Sequence, residues 1–299
     1  MSSDPSERFK DYNKDHAWQY EIRLSNMESD LEAAGLSQEE ADTLRVADFE
    51  FSQFTKEHPD YQTLFPEVKE FIERHEWLGK LSNYPTHYFT ARYKGILAGV
   101  VVMDMPNAFS KLVGDGTRKI ERLISRGACV SWSPKNLASS LIMYAIRWAV
   151  KNTRFRVFTA YSDPEAKELG TIYQACNFTY LGQTSGATHK YRLPGTKKWI
   201  SDRSFRSRSA YKRYAKDLGI DWNPEWQVGD KIVWKNMPLD VEKALRDRSR
   251  EMYKLADVRE IPAKHKYVYI QGKDKKETRE LLKVFHKLNP NLPSYPKER

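Results

Sequence analysis

The chain has 299 residues, with 50 Lys and Arg against 40 Asp and Glu and a net charge of +10, enough length for one or two domains with a sizeable core. Its 8 Trp, 17 Tyr and 13 Phe exclude a disordered chain, and two cysteines exclude a disulfide framework or a Cys-rich zinc site. No apolar run reaches the roughly 18–20 residues that span a bilayer, and Met1–Lys10 lacks the apolar stretch of a signal peptide, so a soluble, cytoplasmic globular protein without membrane partners is expected.

Residues 1–80 read as an acidic helical region. Ser37-Gln-Glu-Glu40 fits a capping box opening a helix through Phe54, and Pro66 starts a stretch in which Val68, Phe71 and Ile72 recur at helical spacing. From Thr86 the period changes. His87–Tyr93 and Ile96–Met103, rich in β-branched and aromatic residues and separated by Lys94-Gly95, predict a hairpin. Lys119–Val130 reads as a third strand. Ser133 and Pro134 then supply a cap and a first-turn proline before Leu137, Leu141, Ala145 and Ala149, spaced by four. Phe155–Tyr161 predicts a strand, Glu165–Cys176 a short helix, and Phe178–Gly182 and His189–Leu193 further strands. Residues 81–195 thus form a core of strands alternating with helices, a mixed sheet covered by helices. Residues 196–299 form a basic, helix-rich region: Arg208–Leu218, Asp240–Leu255 and Asp274–Leu288 are its helices, and Tyr267–Ile270 is a brief strand.

Charge is distributed unevenly. Residues 1–80 carry a net −10, residues 81–187 +7 and residues 188–299 +13. Thr188–Lys216 holds ten bases, Lys190, Arg192, Lys197, Lys198, Arg203, Arg206, Arg208, Lys212, Arg213 and Lys216, against the single acid Asp202. Tyr191, Trp199, Phe205, Tyr211 and Tyr214 are interleaved with them. Cations neutralise phosphates and flat rings stack on unpaired bases, so nucleic acid is the expected partner. A solvated basic helix is the bland alternative.

Three groups of residues carry candidate chemistry. The turn Ser131–Lys135 opens the central helix, where N–H groups and the helix dipole converge on an anion; Ser133 and Lys135 are the candidate donor-binding residues. Ordinary capping by Ser133 explains the same residues. The Gly-rich Arg/Gln-x-x-Gly-x-Gly/Ala loop of acetyltransferases is missing, so acetyl-CoA is unsupported as donor. Asp163 follows a strand and Tyr173 sits ten residues on: a proton acceptor or metal ligand paired with a proton donor. Capping of the helix that Pro164 begins is the alternative role for Asp163. Arg126, in the strand before the central helix, is a candidate for holding an anionic group. His87 and Tyr88 are adjacent on a strand and point to opposite faces except at a strand end or bulge.

The segment Phe71–Gly79, the pair His87-Tyr88, the run Gly95–Val101 and the pattern Ser162-Asp163…Gly170-Thr-Ile-Tyr173-Gln-Ala together resemble the Mom family of bacteriophage DNA-modification proteins. The similarity spans roughly residues 70–195 and the Lys266–Ile270 region. The strand and helix order suits the acetyltransferase-like (GNAT) fold that the resemblance implies, of class α/β (α+β), here with helical extensions at both ends. The family converts adenine in DNA to N6-methylcarbamoyl adenine and so shields phage DNA from host restriction. The resemblance implies catalytic roles for Asp163, Tyr173, Arg126 and Ser140 (or its neighbour Ser139). It also implies an iron ion held by His87, Tyr88 and Asp163, a ligand set suited to ferric iron.

The expected function is therefore a DNA base-modifying transferase acting on adenine N6, drawing on a small acyl-type donor of unknown identity, with a homodimer as a candidate assembly. Three rivals accompany it. One is a CoA-dependent N-acyltransferase on a protein or small amine; another is a DNA transferase acting on a modified pyrimidine. The third is a non-catalytic nucleic-acid-binding protein with a degenerate transferase fold.

Overall fold

The computed structural model describes residues 16–82, 84–106, 108–184, 189–229 and 231–297. The described residues divide into two compact units: those within Asp11–Thr184 and Lys264–Arg299 form one, and those within Ser185–Ala263 the other. The second unit is an insertion between two strands of the first unit's sheet.

In the first unit, α1 (Trp18–Ala34), α2 (Gln38–Thr43) and β1 (Glu50–Phe54) precede α3 (Tyr61–His75). The capping box is present, with Ser37 and Glu40 bonded reciprocally, but α2 stops at Thr43 and the following Glu50–Phe54 is an edge strand rather than more helix. The hairpin follows as β2 (Pro85–Tyr93) and β3 (Ile96–Asp104), its turn made by Lys94 and Gly95 at φ 48° and 84°. Two consecutive left-handed residues give the primed turn whose twist matches that of the flanking strands. Then come the single turn α4 (Thr117–Ile120), β4 (Glu121–Cys129), α5 (Leu137–Asn152) and β5 (Val157–Ser162). After these, α6 (Thr171–Ala175) and β6 (Thr179–Gln183) lead to the insertion. Beyond it, β7 (His265–Ile270) and α7 (Lys275–Leu288) complete the unit.

The strand order is β1-β2-β3-β4-β5-β7-β6, antiparallel throughout except for the parallel pair β4–β5. The core lies between this sheet and its helices. β3 is buried along nearly its whole length, and the Leu137, Leu141, Ala145 and Ala149 stripe of α5 packs on it. This is an α/β protein with a GNAT-like mixed sheet flanked by helices.

The inserted unit contains β8 (His189–Arg192), β9 (Trp199–Ile200), α8 (Arg208–Asp217), β10 (Gln227–Val228), β11 (Lys231–Ile232), α9 (Leu239–Leu255) and β12 (Asp257–Glu260). Strands β12, β8 and β9 form a small sheet, and β10 pairs with β11. Tyr191, Phe205, Tyr211, Tyr214 and Trp226 are buried in this unit.

The sequence boundaries 1–80, 81–195 and 196–299 are therefore redrawn in two places. The segment around His189–Arg192 pairs with Asp257–Glu260 in the inserted unit rather than with the core sheet. The 264–297 segment returns to the core, because β7 supplies the strand between β5 and β6. A full set of ladder bonds on both sides outweighs adjacency in sequence.

Candidate active site

The parallel pair β4–β5 opens partway along. Pairing runs from Glu121 opposite Val157 to Ile124 opposite Ala160, while β4 continues to Cys129 and β5 to Ser162. A bulge in β4 falls at Ser125, since Met103 pairs with Ile124 and Val102 with Arg126. The extra residue bends the strand and re-aims the next side chain. Ser125 Oγ donates to Asp104 Oδ1 at 2.8 Å and to the Val102 carbonyl, which fixes the bulge. Arg126 then donates from Nε to the Lys80 carbonyl at 2.9 Å. Its charge is felt by Glu76 and by Tyr173. The carboxyl ends of parallel strands are where open α/β sheets place their sites.

Around this opening the structure assembles a group of charges. Glu76 caps the C-terminus of α3 and is buried; its Oε2 accepts from the Leu78 N–H at 3.0 Å. Burial pushes its carboxyl up to about 7, against the opposing pull of Arg126, the Leu78 and Gly79 N–H groups and Lys264. Glu168 is pushed up to about 8, first by burial and then by the negative charge of Glu76, with the Asp163 N–H and Lys264 acting the other way. Tyr173 is held firmly protonated by burial and next by the Glu168 charge. A phenol and two carboxyls with raised proton affinity thus share one environment with the cations Arg126 and Lys264.

The turn carrying Glu168 is built rigidly. Lys167 and Gly170 both lie in the left-handed region, at φ 57° and 71°. The predicted helix over Glu165–Cys176 is consequently broken into a short 3-10 turn at Pro164–Ala166 and the single turn α6. Tyr267 of β7 donates from its hydroxyl to the Leu169 carbonyl. Its ring fills the space where a Cβ on Gly170 would stand, within 2.5–2.9 Å. Only glycine fits there.

Asp163 takes the bland role foreseen for it. Its Oδ1 accepts from the Glu165 N–H at 3.0 Å, capping the turn that Pro164 opens, and its Oδ2 pairs with Lys264 Nζ at 2.8 Å. The carboxyl whose charge acts most on Tyr173 is that of Glu168, five residues beyond Asp163. Glu76, Glu168 and Lys264 were not singled out in the sequence, although the first two lie inside the segments that carry the family resemblance. The missed signal is an acid followed directly by apolar residues and a glycine: Glu76-Trp77-Leu78-Gly79 and Glu168-Leu169-Gly170.

Ser140 sits half-buried in α5, and the contact from α5 to the end of α6 comes from its neighbour, whose carbonyl accepts from Cys176 Sγ at 3.7 Å.

The proposed iron ligands do not converge. His87 faces α5, its ring 5.8 Å from both Trp148 and Phe155, with Nδ1 bonded to Thr86 Oγ1 at 2.9 Å. Tyr88, one residue on, faces the opposite side and stacks on Phe54 at 4.8 Å, beside Tyr61 and Phe65. Burial and the neighbouring Arg122 push His87 down to about 4, leaving it neutral. Asp163 is committed to its turn and to Lys264. Alternation along a regular strand separates the first two groups, so no step is routed through iron on this trio. Among the described residues, no group of three His, Cys, Asp or Glu side chains is gathered for a metal.

The anion turn is also altered. The central helix begins at Leu137, and Ser133 Oγ bonds the Val130 carbonyl instead of capping it. The buried carboxylate of Asp30, from α1, accepts from the Ser131 N–H at 3.2 Å and from Ser131 Oγ at 2.9 Å. Arg74 pairs with the same carboxylate at 2.8 Å, and Arg23 donates to the Ser131 and Ser133 carbonyls. Ser133 N–H is used by Val130 within the turn. Ser131 is therefore taken by the internal carboxylate of Asp30 and Ser133 by the Val130 carbonyl, whereas Lys135 remains exposed. These residues do not fit a CoA pyrophosphate, and no step is derived through one.

The model of the Mom protein family matches residues 65–297. The chain belongs to that family. The match includes every residue of the Glu76, Arg126, Glu168 and Lys264 group, and it leaves α1 and α2 outside. Comparison with curated proteins gives no match. Among solved structures, the chain is similar to a GNAT family acetyltransferase from Elizabethkingia anophelis with acetyl-CoA bound, at 14% identity, 75% of this chain, 99% of that one and a TM-score of 0.32. It is also similar to a Bacillus subtilis acetyltransferase in complex with CoA, at 10% identity with the same coverages and TM-score. A probable acetyltransferase from Staphylococcus epidermidis gives 12% identity over 50% of this chain and 93% of that one, with a TM-score of 0.33. At these scores the overlap is loose, and the fold follows from the Mom protein's own sheet order.

The cationic segment lies in the inserted unit and divides into two populations. Its rings are mostly structural: Tyr191, Phe205, Tyr211 and Tyr214 are buried, and the Trp199 ring carries the guanidinium groups of Arg192 and Arg259 at 5.0 and 4.7 Å. They are not an open stacking platform. Several cations are engaged: Arg192 with Asp257 at 2.9 Å, and Arg206 with Asp202 at 2.7 Å. Lys212 lies over Trp222 and Arg213 over Tyr214. Lys197, Lys198, Arg203, Lys212 and Arg213 are exposed. No helix among the described residues is long and apolar enough to cross a membrane.

Proposed function

We propose that this protein transfers a methylcarbamoyl, acyl-type group to the N6 amine of adenine in DNA, and so protects that DNA from restriction. Membership of the Mom family supports DNA as substrate. The observation that carries the chemistry is the meeting of Glu168, Glu76, Tyr173 and Arg126 at the open end of β4–β5.

The N6 lone pair is delocalised into the purine ring, so the amine attacks only as its proton departs. The adenine leaves the stack to reach the site. Glu168, pushed up to about 8, acts in its ionised form and takes the proton as the N6–carbon bond forms and the donor's leaving group departs from that carbon. Arg126 and Lys264 face the negative charge that develops on the acyl oxygen, and the protonated Tyr173 donates a hydrogen bond to the same region. Glu76 keeps the proton affinity of Glu168 high.

Expression in a bacterium followed by mass spectrometry of plasmid nucleosides tests this reading. A deoxyadenosine heavier by one methylcarbamoyl group is expected. Unmodified adenine from folded protein in cells supplied with a phage lysate as donor source overturns it.

A further inference from the structure

The inserted unit holds a cleft of about 570 Å³ between the start of α8 and the β10–β11 hairpin. Four of its lining residues are the cations Arg206, Arg208, Lys231 and Arg246, and its aromatic wall is Trp234. Arg246 lies over that indole, 4.0 Å from the ring centroid, and is paired with Glu242 at 2.7 Å. Tyr211 meets the same indole edge-on at 4.9 Å. Arg206 is likewise backed by Asp202, and Arg208 donates to the Gly229 carbonyl. The guanidinium groups are thus held in place, while Lys231 is exposed at the rim. Ser207 caps the ten-residue α8 by accepting from the Ala210 N–H, so the positive end of the helix dipole points at the same space.

We propose that this cleft binds a phosphodiester of the DNA backbone and is the insertion's grip on the substrate strand. The proposal rests on the reading of DNA as substrate and adds where that DNA is held. Anchored guanidinium groups suit the fixed oxygens of a phosphate. An indole whose face already carries Arg246 has little room for a stacked base. The cleft therefore reads backbone rather than sequence, as most phosphate contacts do.

Duplex binding by the full chain, followed by fluorescence anisotropy across a salt series, tests this. Lys231→Glu should weaken binding roughly 5- to 10-fold near 0.1 M salt, and Arg208→Ala combined with Lys231→Ala should lower the salt slope by about two. Lys283→Glu, an exposed charge reversal on α7 of the other unit, should change affinity less than twofold. Unchanged affinity and slope in the cleft variants, or an equal effect from Lys283→Glu, overturns the proposal. Displacement of the duplex by millimolar adenosine monophosphate would overturn it in favour of a free-nucleotide site. Nucleoside mass spectrometry on the same variants at saturating DNA separates the two readings: binding lost as described with no modified adenine in any sample sinks the proposed chemistry and leaves the cleft standing.

Discussion

Two carboxyl groups decide the behaviour of this molecule at the residue scale. Glu76 and Glu168 bind protons more tightly in the folded chain than in the unfolded one, because burial disfavours their charged forms. Their contribution to stability is therefore complete below the unfolded value near 4.5 and is lost as pH rises through about 7 and 8. Thermal melts should show a fall in Tm between pH 5 and pH 8, and Glu76→Gln should flatten it, recovering on the order of 2 kcal/mol at pH 8. A wild-type melting curve that is flat across this window, or equally steep in the variant, contradicts the assignment. These residues were hard to find in the sequence because an acid's proton affinity depends on what encloses it, and Glu76 and Glu168 lie 92 positions apart. Asp163 stood out through its position at a strand end, yet a cap and a lysine absorb it.

Among elements, the turn between β5 and α6 and the helix α1 each depend on a single residue. Gly170→Ala forces a Cβ into the Tyr267 ring at a positive φ and should cost about 2–4 kcal/mol, read by denaturant unfolding. Tyr267→Ala combined with Gly170→Ala should lose less than the sum of the two single losses, since the truncated ring no longer meets the new Cβ. Asp30→Ala removes the partner of Arg74 and of the Ser131 N–H and hydroxyl, and should cost about 3 kcal/mol. A loss below about 0.5 kcal/mol would mean that α1 is a passive cover. Period and capping made most elements legible: the β2–β3 hairpin, the α5 stripe and the Ser37–Glu40 box were all readable from local pattern. The ends of α2 and α5 were not. For α2 a tertiary partner, the sheet edge taken by Glu50–Phe54, outcompetes the local signal, and for α5 a competing local bond from Ser133 to the Val130 carbonyl does so.

For the whole molecule, the order of the sheet explains what the sequence concealed. A strand that begins 82 residues after β6 ends pairs between β5 and β6, so the chain leaves the core, builds the cationic unit, and returns to lock the turn of Glu168 through Tyr267. Local pattern cannot announce such a return; the brief Tyr267–Ile270 strand was visible, but its partners were not. The aromatic residues of Thr188–Lys216 illustrate the same limit. Composition alone suggested a stacking surface, while the fold uses four of the five rings as core and leaves the cations outside. The family resemblance recovered the sheet, since most of the matched segments lie on its strands and the turns that follow them. It carried over an iron triad that strand alternation in this chain pulls apart.

The central claim is that the proton leaves adenine N6 to Glu168 rather than to Asp163. Nucleoside mass spectrometry of plasmid DNA from cells expressing Glu168→Gln and Asp163→Asn side by side tests it most directly, with duplex binding measured for both. Glu168→Gln should lose at least 100-fold in modified adenine while keeping its DNA affinity, and Asp163→Asn, whose amide oxygen still caps the turn, should lose less than about 10-fold. Full modification by Glu168→Gln, with none by Asp163→Asn, would return the role to Asp163 and contradict the account.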